Sequence, residues 1–380
     1  MYSKILIRYG ELTLKKNNRN DFINQLKQNL LWYINKEEIK MEFDRAFVEF
    51  SEKNLEALKN IFGISSYSPT YVCKSELEAI ENIVKKIISE KNFSSFAIAA
   101  RRHNKNFSLN SAEINMHFGG YVLKNTEDKT VDLKNPDLKI NIEIRDDKTY
   151  VFTEVISSLG GMPVLSSGKV LHLISGGIDS PVASFLLQKR GLKAVFLNFI
   201  TPPHTDKKTE DKIDEIMKLA CRFQKDATLF QINYTKVMNY IGLTSNQKYK
   251  ITLMRRSFYR IANKIAHKYN IKAISNGENL AQVASQTLES IYTISEVCDL
   301  PIFRPLLSFD KNETIKIAEK INTLGTSIEK ACETCELFAP KNPVTKPNRE
   351  EANFLEKELD MLEKLEDEVI EEMQIKRYSL

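Results

Sequence analysis

The string KVLHLISGGIDSP, residues 169–181, constrains this chain more than any other part of it. An apolar run of β type breaks into two adjacent glycines, and a Ser-Pro pair then opens a helix. Gly176 and Gly177 have no Cβ, so backbone N–H groups there can approach a bound group closely. The N-terminus of the following helix brings partial positive charge to the same place. Ser180 suits an N-cap and Pro181 the first helical turn. A Gly-Gly turn alone is usually structural, but the full string at a strand–helix junction reads as a phosphate cradle. It is not GxxxxGK[ST], because no Lys-Ser/Thr pair follows, and it is not GxGxxG.

Downstream the rhythm is strand, loop, helix: KAVFLNF at 193–199, a helix from Asp206, ATLFQI at 227–232, a long helix to about Tyr269, then KAIS at 272–275. That alternation predicts a parallel, doubly wound α/β sheet. Upstream the order differs. Lys4–Tyr9 reads as a strand, and Arg19–Asn35 as a helix with Phe22, Leu26, Leu30 and Tyr33 on one face. Met41–Phe50 alternates again, and Ser75–Glu90 is helical. SFAIAARR at 95–102, a helix near Glu113–Leu123 and strands at 140–144 and 150–156 follow. These are small α+β modules. SSLGGMPVLSSG at 157–168 is the best linker candidate. The expected division is therefore 1–52, 53–157, a linker at 158–168, and 169–380. The last forty residues read as a Pro-broken segment and an amphipathic acidic helix.

With 380 residues, 42% of them hydrophobic, the chain can bury two or three cores. Its 55 basic and 50 acidic residues leave only +5, but Glu350–Glu372 is strongly acidic, so the remainder is more basic than the total suggests. That suits a polyanion, or simply a solvated face. Arg101, Arg102, His103 and Lys105, with Phe107 nearby and Lys85, Lys86 and Lys91 upstream, form the basic candidate for phosphate neutralisation. Cys73, Cys221 and Cys298 are scattered, so no disulfide framework is expected and a reducing compartment is the default. The start MYSKILIRYGEL is too polar for a signal peptide, and no run of 18 apolar residues occurs. A cytoplasmic protein is expected. Cys332-Glu-Thr-Cys335 is half a zinc site whose second half is missing. Persulfide or redox duty, a metal or cluster, and structural thiols all stay open.

SGGxDS is the signature of the PP-loop ATP pyrophosphatases, which the loop resembles. The wider chain resembles the ThiI family of tRNA 4-thiouridine synthetases. The likeness is carried by KILIRYGELTLKKNNR at the start, RRHNKNFSLNSAEIN at 101–115, and NPDLKINIEIRDDKTYVFTEV at 135–155. It continues in NGENLAQVASQT at 276–287 and FRPLLSFDKNETI at 303–315. The resemblance implies a ferredoxin-like domain, a THUMP domain and a PP-loop domain, in that order. The implied activity is ATP-dependent adenylation of a tRNA uridine, followed by replacement of its O4 with sulfur.

Residue by residue, the resemblance puts ATP on Leu173, Ile174, Ser175, Gly176, Gly177, Asp179, Ser180, Asn198, Phe199, Arg255, Gly277 and Gln286. Asp179 would orient Mg²⁺-bound phosphates, and Lys311 would stabilise charge on the transferring phosphate. Cys335 would carry sulfur, with Cys332 in a resolving role, and Lys85, Lys86, Arg101, Arg102 and Lys105 would hold tRNA. Many relatives continue into a rhodanese domain with a second sulfur-carrying cysteine. This chain stops at Leu380, so its persulfide is expected from a cysteine desulfurase or another small carrier. A homodimer and a role in thiamin thiazole synthesis are left open. The competing readings are another PP-loop RNA-modifying enzyme and an RNA-binding protein with a vestigial nucleotide loop.

Overall fold

The computed structural model describes residues 1–330 and 338–380, and the chain divides into two compact units, Met1–Met162 and Pro163–Leu380.

In the first unit the elements are β1 (Lys4–Tyr9), α1 (Arg19–Leu30), β2 (Ile39–Met41), β3 (Arg45–Glu49), α2 (Glu52–Leu58) and β4 (Ile64–Lys74). Then come α3 (Leu77–Glu90), β5 (Ser95–Arg102), α4 (Ser111–Lys124), β6 (Thr130–Val131), β7 (Leu138–Ile144), β8 (Lys148–Phe152) and β9 (Ile156–Ser157). The strands form one sheet in the order β2-β3-β1-β4-β8-β7-β5-β6, with β9 on β4. β4 was not expected, yet it is the hinge of the sheet: its first part pairs with β1 and its second with β8. Two cores result. One packs Ile5, Ile7, Leu26 and Leu30 with Ala57, Leu58 and Tyr67, so it continues well past residue 52. The other packs α3 and α4 on β5 and β7. Arg145 ties the modules together. Its guanidinium donates to Glu42 at 2.7 Å, to Asp44 at 2.7 Å and to Glu143 at 3.0 Å.

The second unit runs β10 (Lys169–Leu173), α5 (Asp179–Lys189), β11 (Lys193–Ile200), α6 (Lys207–Gln224), β12 (Asp226–Asn233), α7 (Thr235–Ile241), α8 (Lys250–Lys268) and β13 (Ile274–Ser275). It continues with α9 (Leu288–Ser295), β14 (Ile302–Phe303), α10 (Lys311–Lys320), α11 (Leu324–Ile328), α12 (Arg349–Glu358), α13 (Leu362–Glu371) and β15 (Gln374–Ser379). The sheet order is β14-β13-β10-β11-β12-β15. All pairs are parallel except β12 with β15. The tail therefore ends in a strand rather than a helix, and it caps an otherwise parallel sheet. Strand residues alternate between two cores. Leu171, Leu197 and Phe230 face α8, while Val170, Phe196 and Leu229 face α6. The acidic tail is partnered. Arg256 of α8, 2% exposed, donates to Glu356 and Glu296 at 2.8 and 2.9 Å. Arg260 bridges Glu356 and Glu366. Among the described residues no helix is long and apolar enough to cross a membrane.

Candidate active site

The chain order reverses at β10: β11 and β12 lie on one side of it, β13 and β14 on the other. In open parallel sheets such a switch point leaves a crevice at the carboxyl ends of the strands. A cleft with about 1300 Å³ of empty space, open to solvent, opens there. Its wall includes every residue expected to contact ATP, from Leu173 through Gln286. The loop after β10 supplies one side, Asn198 and Phe199 at the end of β11 a second, and the segment after β13 a third. Phe199 stacks on Phe258, with ring centroids 4.0 Å apart and planes 10° from parallel. Asn198 Nδ2 donates to the Ile174 carbonyl at 2.9 Å, tying the ends of β10 and β11 together.

Ser180 is not the helix cap. The helix begins at Asp179, and Ile178 stands at the cap position with no side-chain hydrogen bond. The Ser180 hydroxyl instead closes the loop from inside: it donates to the Ser175 carbonyl at 3.2 Å and accepts from the Ser175 N–H at 3.0 Å. Ile178 has no side-chain acceptor to offer as a cap, and the helix N-terminus carries the partial positive charge that suits an anion.

Gly277 packs against this loop. A Cβ there would lie 2.7 Å from the Ser180 nitrogen and 2.8 Å from the Asp179 carbonyl carbon, both backbone atoms. Beneath the loop sits His172, fully buried. Its Nε2 lies 2.8 Å from the Ser180 carbonyl and its Nδ1 2.8 Å from the Ser275 hydroxyl. A carbonyl can only accept, so Nε2 carries the proton and Nδ1 accepts from Ser275. Burial pushes the His172 pKa down to about 4, against the partial support of the Ser180 carbonyl. The ring is a neutral strut between β10, β13 and the loop.

Asp179 and Lys311 come together: Lys311 Nζ donates to Asp179 Oδ1 at 2.7 Å. Gln282 Nε2 donates to Asp179 Oδ2 at 3.1 Å, so both carboxylate oxygens are held. Lys311 opens α10, where Asp310 and Glu313 form a capping box. Arg255 reaches across from α8 to Glu278, a buried carboxylate that also accepts from Arg304 at 2.6 Å. Burial would raise the Glu278 carboxyl, but Arg255 and Arg304 outweigh it and hold it below the usual range. Gln286 Oε1 is buried without a hydrogen-bond partner among the described residues, which leaves an acceptor at the cleft. His172, Gln282 and Glu278 were not singled out from the sequence.

The basic candidates lie in the first unit. Arg101 is exposed at the end of β5 and Lys105 in the loop after it. Arg102 serves structure as well, because its guanidinium braces that loop through the Phe107 carbonyl at 3.2 Å. Phe107 is buried in the second core rather than offered to a base. Lys85 and Lys86 stand on α3, with Lys86 over the ring of Tyr71 on β4. α3 shares one core with β5, so both groups of cations belong to the same module of this unit.

Cys332 and Cys335 lie outside the described residues. Burial pushes the thiols of Cys73 and Cys221 up to about 11, and raises that of Cys298 as well. Such thiols are poor nucleophiles at neutral pH.

Three family models match the chain: the ThiI ferredoxin-like domain over residues 4–68, the THUMP domain over 74–154, and the thiamine biosynthesis protein ThiI over 165–361. It is 64% identical, over the full length of both chains, to a probable tRNA sulfurtransferase of Metamycoplasma arthritidis. It is 55% identical to a protein of the same name from Mycoplasmopsis agalactiae, covering 97% of each chain. In structure it is similar to a 4-thiouridine synthetase crystallised with RNA and bound ATP, at 32% identity, complete coverage of both chains and a TM-score of 0.92. With the loop, the switch-point cleft and the three successive modules all accounted for, the chain belongs to the ThiI family.

Proposed function

We propose that this chain is a cytoplasmic, ATP-dependent tRNA sulfurtransferase that converts a tRNA uridine to 4-thiouridine. The observation that carries the reading is the cleft. One loop offers backbone donors at a helix N-terminus, Gly277 leaves no room for a side chain against it, and Asp179 and Lys311 meet at its rim. Phosphates would lie on the Ser175–Ser180 loop, with the base toward Phe199 and the free acceptor of Gln286. Mg²⁺ suits the carboxylate of Asp179 together with phosphate oxygens, the usual way this ion is held.

In the first step the uridine O4 bonds to the α-phosphorus and pyrophosphate leaves. Lys311 stands where its charge could follow the departing phosphates once it releases Asp179. In the second step sulfur attacks C4 and AMP leaves with the former O4. Cys335 would hold that sulfur as a persulfide received from a cysteine desulfurase or a similar donor; the Cys332 thiolate would then attack Cys335 Sγ, releasing 4-thiouridine and leaving a Cys332–Cys335 disulfide for an external thiol reductant to reopen. The raised thiols of Cys73, Cys221 and Cys298 support leaving this duty to the Cys332–Cys335 pair. tRNA would be gripped by phosphate contacts to Arg101, Lys105, Lys85 and Lys86, with Arg102 supporting the loop.

The test is reconstitution with ATP, tRNA and a persulfide donor, reading pyrophosphate release and 4-thiouridine separately. Asp179→Ala should lose both while keeping tRNA affinity within a few-fold. Cys335→Ser should still release pyrophosphate but form no 4-thiouridine, since serine cannot carry a persulfide. Thiolation by either variant at the wild-type rate would refute its assigned role.

A further inference from the structure

Among the described residues, Glu278 is the one buried carboxylate in the wall of the nucleotide cleft, and the phosphate chemistry proposed above does not use it. Its side chain is 2% exposed. Three donors converge on its carboxylate: Arg304 Nε at 2.6 Å, the Tyr259 hydroxyl at 3.1 Å, and Arg255 through Nη2. The backbone N–H of Glu278 donates to Asn276 Oδ1 at 2.9 Å. The two arginines differ in what else they do. Arg304 is anchored on the Ser295 hydroxyl at 2.7 Å. Arg255 lines the cleft, with its side chain 18% exposed.

A carboxylate between two guanidiniums leaves a local excess of one positive charge, and the cleft side of that excess is Arg255. A free arginine side chain samples many rotamers, and ordering it on binding costs affinity. Fixing the guanidinium on Glu278 beforehand lowers that cost for a contact between Arg255 and a phosphate or ribose oxygen in the cleft. The anchor on Arg304 keeps Glu278 from following Arg255 if that side chain moves. We infer that Glu278 is a positioning residue for ATP: its carboxylate, held by Arg304 and Tyr259, presets Arg255 at the cleft wall. The inference rests on the reading of the cleft as the ATP site.

The experiment is an ATP-binding titration of the full chain, with steady-state pyrophosphate release in the presence of tRNA. The variants are Glu278→Gln, Arg255→Ala and the two combined. Glu278→Gln should weaken ATP binding and raise its KM about tenfold with a smaller change in kcat. The double variant should bind ATP no worse than Arg255→Ala alone, because Glu278 acts through Arg255. A purely architectural carboxylate would instead add its loss to that of Arg255→Ala, and that result would overturn the inference. So would unchanged ATP affinity in a folded Glu278→Gln. If Glu278→Gln does not fold, Glu278→Asp carries the test: it keeps the charge that both guanidiniums need and shortens the reach by one methylene. Wild-type ATP affinity in a folded Glu278→Asp would likewise overturn the inference. Failure of the wild-type chain itself to bind ATP would sink the reading of the cleft, and the inference with it.

Discussion

Replacing Gly277 with alanine tests the cleft at its tightest point. The added Cβ would stand 2.7 Å from the Ser180 nitrogen and 2.8 Å from the Ser180 Cα and the Asp179 carbonyl carbon. These are backbone atoms at the start of a buried helix, so no flexible side chain can swing away. Restoring ordinary contact needs a displacement of roughly 0.7 Å by the loop or by the segment after β13. Overpacking of that kind costs about 1–3 kcal/mol of stability. The functional cost should be larger in proportion, because the displaced atoms are the amides proposed to meet phosphate. A misplacement near 1 Å can cost on the order of a hundredfold in rate, so kcat/KM for pyrophosphate release should fall about 10- to 100-fold. Gly119→Ala in α4 is the control, since nothing lies within 4 Å of its added Cβ. It should leave activity intact and gain up to about 1 kcal/mol in helix stability. tRNA affinity should stay near wild type in both. A Gly277→Ala protein that melts and releases pyrophosphate like the wild type would refute the close packing of this segment on the loop.

Two further outcomes follow from the charges. His172 has a folded pKa of about 4, below the ordinary histidine value, so the unfolded chain binds a proton that the folded chain refuses. Its contribution is complete above about pH 6.5 and drains away as pH falls toward 4. Denaturant titrations of wild type and His172→Gln from pH 7 to pH 4 should therefore diverge by roughly 2–3 kcal/mol, the wild type losing more. Parallel curves would mean that the ring is not buried neutral. Charge reversal at Arg101 and Lys105 should weaken tRNA binding and flatten its salt dependence by about one unit of log–log slope per lost contact. An unchanged slope in filter-binding or anisotropy titrations would move the tRNA surface elsewhere.

What the sequence disclosed of the fold follows from periodicity. β11 and β12 are short apolar runs between helices and β10 is a similar run before one, and Asp206 before α6 caps it, accepting from the Thr209 N–H at 3.0 Å. β4 hid because ISSYSPTYVCK is rich in Ser, Thr and Pro, the composition of a turn. Tertiary pairing overrides that local preference: Ser68 and Thr70 are fully buried, Ser68 accepting from Arg8 at 3.0 Å and Thr70 donating to the Lys4 carbonyl at 3.0 Å. β15 hid for a different reason. QIKRYS offers few apolar residues and exists as a strand only because β12 has an open edge beside it. The acidity of the tail was visible, but not its purpose. Arg256, Arg260 and Lys264 on α8 were scattered basic residues until the fold set them against Glu356, Glu366 and Asp367.

The site divides along the same line. The loop was legible because the demands that a phosphate would make on the backbone fall on consecutive residues: small side chains, a tight turn and a helix start. The groups that brace the loop come from far away in sequence. Lys311 reaches Asp179 across 132 positions, and Ser275 reaches His172 across 103. His172 sits in an apolar strand, where a histidine looks like core filler, and only the neighbouring strand and the helix start turn it into a strut. The same geometry explains why these distant groups converge. Parallel strands bring their carboxyl ends to one edge, and at the switch point the connections from β10 and β13 leave in opposite directions. Whatever follows each strand end must then face the same crevice. Ser175–Ser180 follows β10, Asn276–Gln286 follows β13, and Lys311 stands at the head of the helix after β14. Asp179 is held on one carboxylate oxygen by Lys311 and on the other by Gln282, so each of these segments contributes to a single carboxylate. A nucleotide that draws Lys311 onto its phosphates would free one of those oxygens in the same motion, linking substrate arrival to the exposure of Asp179.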